Sequence, residues 1–176
     1  MEQIPHKLMM RTINELIGII NGISYDGIIN KLEVAGLSSW VKKNRNLSYE
    51  PRQARLISLV EQVLEDGIIT DEEREILIDN CSEYTALETD SSAKIYELNG
   101  IIEGVISDNE INEKEVCHLQ EWMRTNASFI RDHKPSKIIC EKIDQILEDD
   151  IVTQAEQESL LEILKKRLNH AQIETK

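Results

Sequence analysis

Apolar residues recur along this chain at spacings of three and four, broken at near-regular intervals by short polar turns. Ile13, Leu16, Ile17, Ile20 and Ile23 form the first stripe; Val34, Leu37 and Val41, with Trp40 beside them, form the second. Leu56, Val60, Val63 and Leu64 come next, then Leu77, Cys81 and Tyr84. The second half repeats the sequence of stripes: Leu98, Ile101, Ile102 and Val105; Val116, Leu119, Trp122 and Met123; Ile139, Ile143, Ile146 and Leu147; Leu160, Leu161, Leu164 and Leu168. This is the period of amphipathic helices, and no stretch alternates long enough with period two to predict a strand. Eight helices, arranged as four helical hairpins in an all-α fold, are expected.

The turns carry a repeated phrase. It reads Asp26-Gly27-Ile28-Ile29-Asn30 with Glu33, then Asp66-Gly67-Ile68-Ile69-Thr70 with Glu73. It returns as Asp108-Asn109-Glu110-Ile111-Asn112 with Glu115, and as Asp149-Asp150-Ile151-Val152-Thr153 with Glu156. The leading aspartates are 40, 42 and 41 residues apart, so one supersecondary unit recurs. A shift of 82 places Gly18, Gly22, Asp26, Asn30, Glu33, Trp40 and Asn44 on Gly100, Gly104, Asp108, Asn112, Glu115, Trp122 and Asn126. The larger repeat is therefore a four-helix unit used twice, expected over 1–84 and 94–176, with the Thr-, Ser- and Asp-containing stretch 85–93 as linker.

Two physical readings of the phrase compete. In the first, Gly27 or Gly67 supplies a left-handed residue that stops a helix, and an isoleucine then docks into the core. Asn30, Thr70, Asn112 or Thr153 caps the next helix, and the glutamate three residues later completes a capping box. In the second, the phrase is the latter half of a calcium loop, with Asp26 and Glu33, or Asp66 and Glu73, as ligands. The first and third loop positions would then be Gly22 and Ser24, Gln62 and Leu64, Gly104 and Ile106, and Gln145 and Leu147. No loop has carboxylates at both, so only weak divalent-cation binding remains as the alternative. No cofactor is otherwise expected.

The paired glycines Gly18/Gly22 and Gly100/Gly104 occupy helix interiors, where each costs about 1 kcal/mol relative to alanine. Their equivalent placement predicts a close helix crossing, and a ligand approaching the backbone is the alternative.

The net charge of −13 is spread as −6 over residues 1–88 and −7 over 89–176, which disfavours direct nucleic-acid binding and anionic membrane surfaces. Lys42, Lys43 and Arg45 read as the only basic cluster, a solvated helix end. No apolar run approaches the length of a membrane span, no secretory signal pattern is visible, and Cys81, Cys117 and Cys140 lack metal spacing. A cytoplasmic protein with reduced thiols is expected. His6, His118, His133 and His170 are scattered, and no nucleophile–base pair, phosphate loop or dinucleotide fingerprint occurs, so no enzyme is expected. Trp40 and Trp122 are either candidates for a partner-binding face or core residues between helices.

Gly18, Gly22, Asp26, Gly27, Asn30, Glu33, Trp40, Asn44, Pro51, Asp66, Gly67, Thr70 and Glu73 together resemble a helical region found beside BRCT domains in bacterial and phage proteins. The pattern is more distantly similar to TerB-like tellurite-resistance domains. The resemblance covers about residues 13–84 and, more weakly, 95–168; no BRCT domain follows, and the second copy has Asn109 and Asp150 where the first has turn glycines. It implies an all-helical accessory module with TerB-like or solenoid-like packing, in a bacterial stress or phage-defence setting. The expected function is a non-enzymatic, acidic protein–protein interaction module. The alternatives are a Ca/Mg-binding helical protein and an acidic DNA mimic that inhibits a nucleic-acid-binding protein.

Overall fold

The computed structural model describes residues 6–27, 29–45, 51–85, 91–149 and 151–173. Among them lie nine helices and no strand: α1 (His6–Gly22), α2 (Lys31–Asn44), α3 (Pro51–Val63), α4 (Asp71–Thr85), α5 (Ser91–Val105), α6 (Glu113–Thr125), α7 (Ala127–Asp132), α8 (Lys134–Ile146) and α9 (Gln154–Ile173). Eight correspond to the apolar stripes. The ninth, α7, is a six-residue segment between the α6 cap Asn126 and the α8 cap His133. No described helix is long and apolar enough to cross a membrane.

The chain forms two compact units, Met1–Ser107 and Asp108–Lys176. The boundary of the packed units does not coincide with the repeat boundary read from the sequence. Residues 86–90 of the expected linker lie outside the described residues, and α5, the first helix of the second copy, packs against α1 in the first unit.

The paired glycines account for that attachment. A Cβ added at Gly18 would lie 2.8 Å from Gly100 Cα, and one at Gly22 would lie 3.1 Å from Gly104 Cα. The helices thus cross in parallel, each glycine against its own counterpart, and two backbones touch where side chains would otherwise hold them apart. A neighbouring helix occupies the space that the ligand alternative had assigned to a bound molecule. Around the crossing, Ile13, Leu16, Ile20, Leu98, Ile101, Ile102 and Val105 are buried. At about 25 cal/mol per Å² of apolar surface buried, each such side chain contributes roughly 1.5–3 kcal/mol. The polar Thr12 and Asn14 are also buried; Thr12 Oγ1 donates to Leu8 O (2.9 Å) and Asn14 Nδ2 to Met10 O (2.8 Å).

The second unit closes its core with Val116, Leu119 and Met123 of α6, Ile130 of α7, Ile139, Ile143 and Ile146 of α8, and Leu160, Leu161 and Leu164 of α9. Helix α8 packs on each of the other three.

Candidate functional site

The repeated turn is the natural place to look for chemistry, and its hydrogen bonds can be followed in all four copies. Asn30 Oδ1 accepts from the amides of Leu32 (2.9 Å) and Glu33 (3.2 Å), while Glu33 Oε2 accepts from the Asn30 amide (2.6 Å). Thr70 Oγ1 accepts from the Glu73 amide (3.2 Å), and Glu73 Oε2 accepts from both the Thr70 amide and its hydroxyl (2.9 Å each). Asn112 and Glu115 exchange the same two bonds at 3.1 and 2.8 Å. Thr153 and Glu156 exchange them at 3.4 and 2.9 Å, and the Thr153 hydroxyl adds a bond of 2.6 Å to Glu156 Oε2. These bonds to Thr153 hold the Glu156 carboxyl below its ordinary titration range.

The leading aspartates serve the turn as well. Oδ1 of Asp66, Asp108 and Asp149 accepts from the amide two residues on, in Ile68 (2.9 Å), Glu110 (3.0 Å) and Ile151 (3.1 Å). Such a side chain mimics one limb of a backbone turn. Gly27, Gly67 and Asn109 have φ of 80°, 74° and 69°, so the third turn keeps the left-handed backbone with asparagine, the side chain that tolerates it next best. Asn109 also accepts from Lys165 Nζ (2.6 Å). Ile28 and Asp150 lie outside the described residues.

One detail departs from the expected geometry. The glycine does not directly follow the helix it was expected to stop. Helix α1 ends at Gly22, and the chain tightens through three-residue bonds (Tyr25 N to Gly22 O, 3.3 Å; Gly27 N to Ser24 O, 3.1 Å) before reaching Gly27. Helix α3 ends at Val63, with Gly67 N bonded to Leu64 O at 3.2 Å. The second apolar residue of the phrase then turns inward: Ile69 and Ile111 are buried, whereas Ile68 and Ile151 at the first position are more than 60% exposed.

This geometry bears on the four carboxylates named as cation ligands. Glu33 is buried with its oxygen on the Asn30 amide, Glu73 holds Thr70, and Asp66 holds Ile68. Asp26 is half-buried. Among the described residues, no group of three or more His, Cys, Asp or Glu converges in metal-binding positions. The first and second turns do face each other across a cavity of about 290 Å³, lined by Ser24, Gly27, Ile29, Ile69, Thr70, Asp71 and Arg74. Its cation is built in. Arg74 Nε is buried without a hydrogen-bond partner among the described residues and stands 3.8 Å from Asp71 Oδ1. A guanidinium in the wall opposes a divalent ion there. Spacing alone did not flag Arg74, because only the meeting of two turns 40 residues apart brings it to the cavity.

The two tryptophans separate. Trp40 is buried in the first core, with its indole N–H unpartnered among the described residues, so it forms no outward face. Of the two readings left open for Trp40, packing agrees with the core one, since Leu37, Val41 and Trp40 share the inward side of α2. Trp122 is half-buried and meets Phe129 edge-on at 6.4 Å, and Phe129 stacks on His133 at 5.2 Å. His133 in turn caps α8, its Nδ1 lying 2.6 Å from Ser136 Oγ. This ring ladder ties α6, α7 and α8 together, and sequence spacing gave no sign of it.

Among the cysteines, Cys81 is buried and its thiol is pushed up to about 12 by desolvation, Cys117 is exposed, and Cys140 is raised by partial burial and the nearby Asp144. Neither Cys81 nor Cys140 is poised as a thiolate. Compared with family models, with curated proteins and with solved structures, the chain matches none.

Proposed function

We propose that this chain is a non-enzymatic, all-helical interaction module that offers acidic helix faces to a protein partner. The observation that supports the reading best is the outer side of α4. Leu77 and Cys81 are fully buried on one side, and Glu72, Glu75, Asp79 and Glu83 are exposed on the other. Spacings of three and four align these carboxylates as one stripe along the helix. Ile76, 48% exposed, lies within it. An apolar side chain ringed by like charges gives a partner both a desolvated anchor and a sign to match, the combination that sets specificity in protein interfaces. The resemblance noted in the sequence adds a bacterial stress or phage-defence setting.

The test is affinity capture from the source cell with the intact protein and with an E75K/D79K variant, folding of both being checked by circular dichroism. The captured partner should be lost from the variant. An identical set of captured proteins with both baits refutes the reading.

A further inference from the structure

The chain is acidic, yet its cations are not scattered evenly. Residues 122–138, from the end of α6 through α7 into α8, carry Arg124, Arg131, Lys134 and Lys137 against the single acid Asp132. The equivalent 82-residue-shifted window, 40–56, carries five basic residues against Glu50. Together the two windows hold nine of the 20 basic residues and two of the 33 acidic ones. The remaining sequence is therefore far more acidic than the net charge conveys, and each copy reverses sign at the same joint. Lys42, Lys43 and Arg45 are one half of a repeated feature.

Some cations of the chain are engaged: Arg11 with Glu15 and Lys94 with Glu97 in ion pairs of 2.8 and 2.7 Å, and Lys165 on Asn109. At this corner Arg124, Arg131 and Lys134 are exposed and make no ion pair among the described residues, and Lys137 reaches Glu141 only at 3.8 Å. The Trp122–Phe129–His133 ladder runs through the same segment. Ile138, 59% exposed, follows Lys137 directly.

We propose that this corner docks a short acidic peptide segment of a partner protein, its carboxylates on Arg124, Arg131 and Lys134 and an apolar side chain against Ile138. Length decides between a peptide and a nucleic acid. At 1.5 Å per residue the six residues of α7 span about 9 Å, close to the Debye length of about 10 Å at 0.1 M salt. A nucleic-acid strand would run past the corner into the acidic remainder of the surface; a segment of a few residues ends within it. This inference does not rest on the α4 stripe, which has the opposite sign and a different partner chemistry.

The experiment uses the full chain and fluorescence anisotropy at 20 and 200 mM salt, with three samples. The first is a labelled hexapeptide of four glutamates and two leucines with wild-type protein. The second is the same peptide with R131E/K134E, whose altered side chains are exposed and whose fold is checked by circular dichroism. The third is a labelled oligothymidylate of matching charge. The peptide should bind at low salt, weaken as salt rises, and weaken at least tenfold on charge reversal. The proposal is overturned by no binding at low salt, by unchanged affinity in R131E/K134E, or by tighter binding of the oligothymidylate. Sedimentation showing a low-salt dimer that R131E/K134E dissolves would assign the corner to a second copy instead, and would overturn it too.

Discussion

Replacing Gly100 with alanine tests the parallel crossing of α1 and α5 most directly. In an isolated helix the change would stabilise by about 1 kcal/mol. Here the new Cβ would stand 2.9 Å from the carbonyl carbon of Glu15 and 3.0 Å from its Cα, with the Glu15 oxygen closer still. Carbon atoms prefer about 3.5–4.0 Å, so the shortfall is roughly 0.5–1 Å against backbone that no rotamer change can move. The helices must separate by a comparable distance. A gap of that size forfeits roughly a quarter to a half of each dispersion contact across the seam. Leu98, Ile101, Ile102 and Leu16, all fully buried, are the residues that lose them. Overpacking costs of this kind run to about 1–3 kcal/mol or more, and rigid backbone on both sides places this case at the upper end. The expected net loss is about 2 kcal/mol after the propensity gain is subtracted.

Urea unfolding followed by helical circular dichroism reads this loss as a lowered midpoint. Gly18→Ala should behave alike. The double variant should lose less than the two singles combined, because one separation accommodates both methyl groups. Gly36→Ala is the control: its Cβ would meet only the Ser107 side chain, at 3.2 Å, so with the helix-propensity gain the midpoint should stay at or above wild type. If Gly18→Ala and Gly100→Ala both match or exceed wild-type stability, the close crossing is refuted.

Two further outcomes follow from the polar groups. Burial raises the Glu103 carboxyl above its usual 4.5, Lys43 pulling it back and Glu15 adding to the rise. A carboxyl that binds its proton more tightly in the folded state loses stability as pH climbs from its unfolded value through its folded value. Glu103→Gln should therefore raise the urea midpoint at pH 7 and lose that advantage at pH 4; an equal effect at both would contradict the assignment. At the second turn, Thr70→Ala removes a cap and should cost about 1 kcal/mol, while EDTA leaves the wild-type melting temperature unchanged. A drop in melting temperature with EDTA would instead restore a cation role to Asp66 and Glu73.

What could be read from the chain was what depends on neighbours within a few residues. The capping boxes at Asn30, Thr70, Asn112 and Thr153 close between positions three apart, so spacing and residue type suffice to specify them. The apolar stripes likewise fix the helices, although α7 escaped because six residues are too few to display a period. Gly18, Gly22, Gly100 and Gly104 announced a close approach without naming the partner, and only packing showed that each pair meets the other. The same limit applied to Trp40, to Arg74 in its cavity and to the unpaired cations beside α7. Their roles depend on contacts between segments distant in sequence. A local pattern states what a residue can do to its own helix, whereas burial and charge pairing are decided by which other helix arrives.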